Sequence, residues 1–145
     1  MSENNPELIR RMGRLEYQRA RQHGRLNQFW GRLTGRPSHL RRLTSRAQPF
    51  SAGGRFDGLQ TVCVRCIQGS EGRSQAFDPS FNPVGEDSEG RWVNVFSAWK
   101  TGQELPPVEL IRVGDAYYVR DGHHRVSVAR VMGQEYIEAA VTAWE

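Results

Sequence analysis

The stretch Tyr117-Tyr118-Val119-Arg120-Asp121-Gly122-His123-His124-Arg125-Val126-Ser127-Val128-Ala129-Arg130 decides how the chain is read. It reads as a strand, a tight glycine turn and the opening of a helix. Backbone N–H groups at a helix start have no partner within the helix, and the helix dipole favours an anion there. Gly122 has no Cβ, so a ligand can come close to the backbone. Arg125 can grip two phosphate oxygens in a fork. The physical reading is a phosphate-binding turn for a nucleotide. The plainer alternative makes Asp121-Gly122 a mere strand-to-helix connection, with Asp121 as a cap and both histidines and Arg125 as solvated polar residues.

Outward from this turn, Val108 to Val113 and Ala116 to Arg120 read as strands joined by Gly114-Asp115, a pair suited to a tight hairpin turn. His124 to Met132 is a helix closed by Gly133. Ile137, Ala139 and Val141 alternate as a last strand. Upstream, Trp92, Val95, Phe96 and Trp99 have helical spacing, with Ser88 or Asp87 as the cap and Gly102 as the end. Leu59 to Ile67 reads as a first strand, followed by loops over residues 68–73 and 76–90. The order β, α, β, β, α, β gives an α+β domain on a small mixed sheet, occupying residues 49–145.

The segment Leu105-Pro106-Pro107-Val108, the hairpin and the turn Asp121-Gly122-His123-His124-Arg125 together resemble the ParB/sulfiredoxin superfamily, over about Leu59 to Val141. Within it the chain is similar to small ParB-like proteins with an Asp-Gly-His-His-Arg turn. The resemblance implies nucleotide contacts at Gly122, His123, His124 and Arg125, with ATP, ADP or CTP as the nucleotide. In ParB the matching turn is Gly-Glu-Arg-Arg, and in sulfiredoxin it is Gly-Gly-Cys-His-Arg. His123 stands where sulfiredoxin has its catalytic cysteine, so repair of sulfinic acids is not expected, because that chemistry needs a thiolate. Arg73 falls near the place of a phosphate-contacting arginine in ParB. Related free-serine kinases use a carboxylate in the loop after the first strand as base, and Glu71 lies in that loop here. Asp121 could hold Mg²⁺ beside the phosphates, orient His124, or simply cap the helix. Asp121, His124 and Glu71 are accordingly the candidate catalytic residues of an alternative phosphotransferase, phosphohydrolase or nuclease reading.

The rest of the chain differs in charge. Residues 1–48 contain eleven Arg, no Lys and three acids, a net +8, which leaves −4 for the remainder of a chain whose total is +4. A polyanionic partner is expected for such an arm, and arginine forks onto phosphate. From Pro6 to about Leu33, Leu8, Met12, Leu15, Leu26, Phe29, Trp30 and Leu33 follow helical steps, interrupted by Gly13, Gly24 and Gly31, which weaken the helix. Arg10, Arg14, Arg21 and Arg25 fall near one face and are the candidate nucleic-acid contacts, for DNA. Packing on the core, a homo-oligomer through Leu26, Phe29, Trp30 and Leu33, or a membrane surface are the competing readings. The chain lacks the helix-turn-helix of true ParB, so site-specific DNA reading is not expected. Residues 37–58, with Pro37, Pro49, Ser51, Gly53 and Gly54, read as a linker.

No stretch approaches a membrane span, and Arg10, Arg11 and Arg14 leave no apolar leader core, so a cytoplasmic location without a membrane partner is expected. Cys63-Val64-Arg65-Cys66 is placed on a strand. Residues three apart there face opposite ways, so neither a shared metal nor a thiol pair is expected, and no metal site is assigned.

Overall fold

The computed structural model describes residues 5–43, 54–85 and 88–144. Its elements are α1 (Pro6–Thr34), β1 (Arg41–Arg42), β2 (Arg55–Cys63), β3 (Ile67–Ser70), α2 (Glu89–Lys100), β4 (Val108–Val113), β5 (Ala116–Asp121), α3 (His123–Val131) and β6 (Tyr136–Trp144), with 3₁₀ turns at Val64–Cys66 and Ser74–Ala76. The strands form one mixed sheet in the order β1-β3-β5-β4-β6-β2. Strand β3 runs parallel to β1 and β5, β4 is antiparallel to β5 and parallel to β6, and β2 closes the other edge antiparallel to β6. The α+β class read from the sequence is the one observed. The hairpin between β4 and β5 turns at Gly114, whose φ of 62° suits glycine and which sits beside the last pair, Val113 with Ala116.

Strand alternation divides the apolar residues between two faces. Val108, Leu110, Val119, Ala139 and Val141 face Val126 of α3 and the loop aromatics Phe77 and Phe81, all buried. Ile111, Tyr118 and Trp144 face the opposite side with Leu43. A third cluster lies between the helices, where Ile9 and Tyr17 of α1 meet Trp92 and Phe96 of α2 and Val128 of α3. Helix α3 thus joins the sheet layer to the helix layer.

Three sequence expectations change. The first strand does not continue to Ile67: β2 ends at Cys63, a 3₁₀ turn intervenes, and Ile67–Ser70 form a separate strand far across the sheet. The stretch read as linker contributes β1, and its flanking Leu40 and Leu43 enter opposite faces of the sheet, as alternation requires. The expected loop 76–90 gives way to α2 at Glu89, and Phe77 and Phe81 are fully buried in the loop. Asp78 organises that turn by accepting from Ser80 N–H, Asn82 N–H, the Asn82 side chain and, at 2.8 Å, the Asn27 side chain of α1. A buried carboxylate needs such donors. Pro49, Ser51, Gly53 and Asp87 lie outside the described residues; Ser88 precedes α2 without a side-chain capping bond.

Helix α1 is continuous, and its start is capped by the Asn5 side chain, which accepts from Glu7 N–H. Its buried face is not the large apolar series. It is Ile9, Gly13, Tyr17, Ala20, Gly24 and Gly31, at steps of three, four and seven. The glycines read as weak points are the line of contact. A Cβ on Gly13 would meet Phe96 at 2.9 Å, and one on Gly24 would meet Val84 at 2.9 Å and the Pro83 carbonyl at 3.1 Å. Their absence lets α1 lie close to α2 and the loop. Leu8, Leu15, Leu26, Phe29, Trp30 and Leu33 remain exposed. The expected division at residue 48 therefore does not leave α1 standing apart from the domain.

This inversion is measurable. Tyr17→Ala should cost about 3 kcal/mol, the loss of a buried aromatic and of its hydroxyl bond to the Gly85 carbonyl. Leu15→Ala should cost less than about 0.5 kcal/mol, the usual limit for a surface position. Urea unfolding of both variants distinguishes this packing from the sequence expectation, which would rank them in reverse.

Candidate functional site

Two parallel neighbours, β3 and β5, end side by side, and the chain leaves each of them at one cleft. Open α/β sheets place ligands beyond the carboxyl ends of their strands. The cleft measures about 580 Å³ and is lined by Gly72 and Arg73 after β3, Arg91, Asn94 and Val95 of α2, and Arg120 to Arg125.

At its base, Gly122 precedes α3 with φ 100°, and among the described residues no side chain caps the helix. The position is closed to any side chain, since a Cβ there would lie 2.6 Å from Val108 Cγ1. This explains Leu105-Pro106-Pro107-Val108: Val108 packs on Gly122, while Arg125 Nη1 donates to the carbonyls of Pro106 and Pro107. Arg125 Nη2 donates to Asp121 Oδ2 at 3.1 Å. The fork expected to grip phosphate is thus engaged within the chain, and it holds the loop before β4 against the start of α3.

His123 is almost fully buried. Its Nε2 lies 2.6 Å from Ser70 Oγ, and Ser70 Oγ accepts from the N–H groups of Gly72 and Arg73. With both lone pairs occupied, the hydroxyl has its proton left to donate, so His123 accepts at Nε2 and carries its hydrogen on Nδ1. Burial, reinforced by the nearby Arg73 and His124 and only partly opposed by Asp121, brings the His123 pKa down to about 4. His124 falls to about 4 as well, through burial and then Arg73 and Arg91. Its Nε2 is buried without a hydrogen-bond partner among the described residues, and its ring stands edge-on to Phe77 at 5.8 Å. Both histidines are neutral at pH 7. The positive charge of the cleft comes from arginines.

The structure brings together Arg73, Asp121, Gly122, His123, His124 and Arg125 around one cleft. It does not bring Glu71 there. That carboxylate pairs with Arg120 at 3.3 Å and does not line the cleft. Arg91 and Asn94, which the sequence reading omitted, come from α2 at positions beside its core residues Trp92 and Val93, and only helical spacing from Trp92 could have pointed to them. Arg73 and Arg91 have no ion-pair partner among the described residues. The strand placement of Cys63 to Cys66 is corrected too, since a 3₁₀ turn over Val64–Cys66 replaces the strand there. Among the described residues no group of His, Cys, Asp and Glu could hold a metal ion, and no helix is long and apolar enough to cross a membrane.

No protein-family model matches the chain, and no curated protein matches it significantly. Among solved structures it is similar to sulfiredoxin from Arabidopsis thaliana, with 15% sequence identity and a TM-score of 0.44 over 59% of this chain and 84% of that one.

The depressed histidine pKa values have a definite sign. A histidine near 6.5 when unfolded and about 4 when folded makes the unfolded chain the better proton binder between those values. Its contribution is complete above pH 6.5 and is lost as the pH falls towards 4. The His123 and His124 imidazole signals followed by NMR should titrate near pH 4. The decline of stability from pH 6.5 to 4.5 should be shallower in His123→Asn than in the parent.

Proposed function

We propose that the chain is a nucleotide-binding module that takes the phosphates of a nucleoside di- or triphosphate at the start of α3. The observation that carries this reading is the uncapped first turn of α3, closed to side chains at Gly122 and facing Arg73 and Arg91 across the cleft. Unpaired N–H groups and a helix dipole attract an anion there. Arginines, unlike the neutral histidines beside them, keep their charge at every physiological pH. A second hollow of about 240 Å³, lined by Val95, Trp99, Pro106 and Val108, adjoins the cleft and shares Val95 and Arg125 with it. It suits an apolar-faced base next to its phosphates.

Mg²⁺ in this reading accompanies the phosphates, with Asp121, mostly exposed at the rim, as its carboxylate ligand. An enzymatic alternative, phosphotransfer, phosphohydrolysis or nuclease action, would rest on Asp121 and on His124, whose Nε2 has no hydrogen-bond partner among the described residues. Glu71 supports it less, being paired with Arg120. Association with DNA through α1 is the second part of the reading. Its support is the net charge of residues 1–48 and the exposure of Arg10, Arg14 and Arg25 on one side of the helix, with Arg21 half-buried beside them. Self-association would use Leu26, Phe29, Trp30 and Leu33, which all stay exposed.

Calorimetry with ATP, ADP and CTP, with and without Mg²⁺, tests the nucleotide reading. Arg73→Ala should weaken binding by about 1.5–3 kcal/mol, the worth of a hydrogen bond to a charged group, and Gly122→Val should abolish it. No binding by the parent, or an unchanged affinity in Arg73→Ala, would refute the phosphate site.

The DNA reading is tested without truncation, because α1 is part of the core. Replacing Arg10, Arg14 and Arg25 with Gln should lower the slope of log affinity against log salt by roughly one for each arginine that meets a phosphate. An unchanged slope in fluorescence anisotropy removes α1 as the contact.

A further inference from the structure

Cys63 and Cys66 lie away from the α3 cleft and have no part in the nucleotide reading. Strand β2 stops at Cys63, which opens the 3₁₀ turn that Cys66 ends, and Ile67 N–H bonds back to the Val64 carbonyl. The first and last Cα atoms of such a four-residue turn lie within roughly 7 Å of each other. That is close to the span of roughly 4.4–6.8 Å over which a disulfide closes. Both thiols are free and half-buried. Their surroundings differ. Cys63 has the Arg65 charge nearby, and its pKa is lowered, chiefly by the Cys66 thiol. Cys66 is pushed up by Cys63 and by burial.

Only Cys63 opens onto a further cleft, of about 860 Å³, between α1, the end of α3 and the start of β6. Arg19, Arg65 and Arg130 line that cleft against the carboxylates Glu16 and Glu135. Glu16 is itself held by Arg19 at 3.7 Å. Carboxylate arms on an incoming molecule would meet a net positive wall.

We propose that Cys63 and Cys66 are a thiol–disulfide exchange pair that reduces a small disulfide bearing carboxylates, with Cys63 attacking and Cys66 resolving. The Cys63 thiolate attacks one sulfur of the substrate, the substrate S–S bond breaks, and the first half leaves as a thiolate that takes a proton from water. Cys66 then gives up its proton to water, and its sulfur attacks Cys63 Sγ. The mixed disulfide breaks and releases the second half as a thiolate, which is protonated in turn. The substrate gains two electrons and two protons, and the protein ends with a Cys63–Cys66 disulfide. A thiolate attacks and a protonated thiol waits, which is the division that the two surroundings favour.

The test is mass spectrometry of the full-length reduced chain incubated at neutral pH with glutathione disulfide, and in parallel with cystamine, its cationic counterpart. The parent should lose the mass of two hydrogens and keep no adduct. Cys66→Ser should stop at one glutathione on Cys63, and Cys63→Ser should form its adduct about tenfold more slowly, because Cys66 does not line the cleft that receives the disulfide. Glutathione disulfide should outpace cystamine at low salt. A lasting adduct on the parent, equal rates in the two variants, or equal rates for the two disulfides would overturn the proposal. The parent measurement stands even if a variant fails to fold.

Discussion

The indole of Trp92 is the joint on which the helical layer depends. It is fully buried in α2, stacks on Phe96, and receives the edge of Tyr17 from α1. Its Nε1–H donates to Ser127 Oγ of α3 at 2.9 Å, and that hydroxyl donates onward to the Phe81 carbonyl at 2.6 Å. One side chain thus fixes three helices and the loop that carries Phe77 and Phe81. A buried polar atom left unpaired costs about 1–3 kcal/mol, so the chain Trp92–Ser127–Phe81 specifies one arrangement of these elements against its neighbours.

The candidate site inherits this rigidity. Ser127 and Val126 set α3 against the loop and sheet, and two further bonds aim its first turn. Ser70 ties the end of β3 to His123, and Arg125 ties the Pro106-Pro107 loop to Asp121. The histidines that look most like chemistry are, at His123, a structural acceptor and, at His124, a neutral ring against Phe77. The charge that a phosphate would meet belongs to Arg73 and Arg91 on two different elements. In the proposed reading the anion site would be pre-built: its donors would be main-chain groups and constitutively charged guanidinium groups, and binding would need no change of protonation.

Helix α1 shows the same economy of contact. A surface of glycine and alanine has little apolar area to bury, yet it permits the close approach that lets Ile9 and Tyr17 reach the α2 cluster. Close packing of a few large groups against small ones gains dispersion contacts that a looser arrangement of leucines would forfeit. The large side chains are then left on the outside beside the arginines, where they remain available to a partner.

Much of the domain was legible in the sequence alone. Period-two alternation in β4, β5 and β6 and the glycines at 114, 122 and 133 are local signals, and local geometry enforces them. The turn from β5 into α3 was readable because only glycine tolerates its backbone and its closeness to Val108. Tertiary structure decided the rest. Strand order placed β3 beside β5, so Arg73 and Ser70 met the α3 turn from a distant part of the chain. Helix crossing chose the glycine face of α1 over the leucine face, because the depth of contact is a property of both surfaces and not of one helix's pattern. The break after Cys63, which put a 3₁₀ turn where a strand was read, arose because the sheet required the chain to leave one edge and resume on its far side. No periodicity within that segment encodes this, and the long-range pairing of β2 with β6 and of β3 with β5 imposes it.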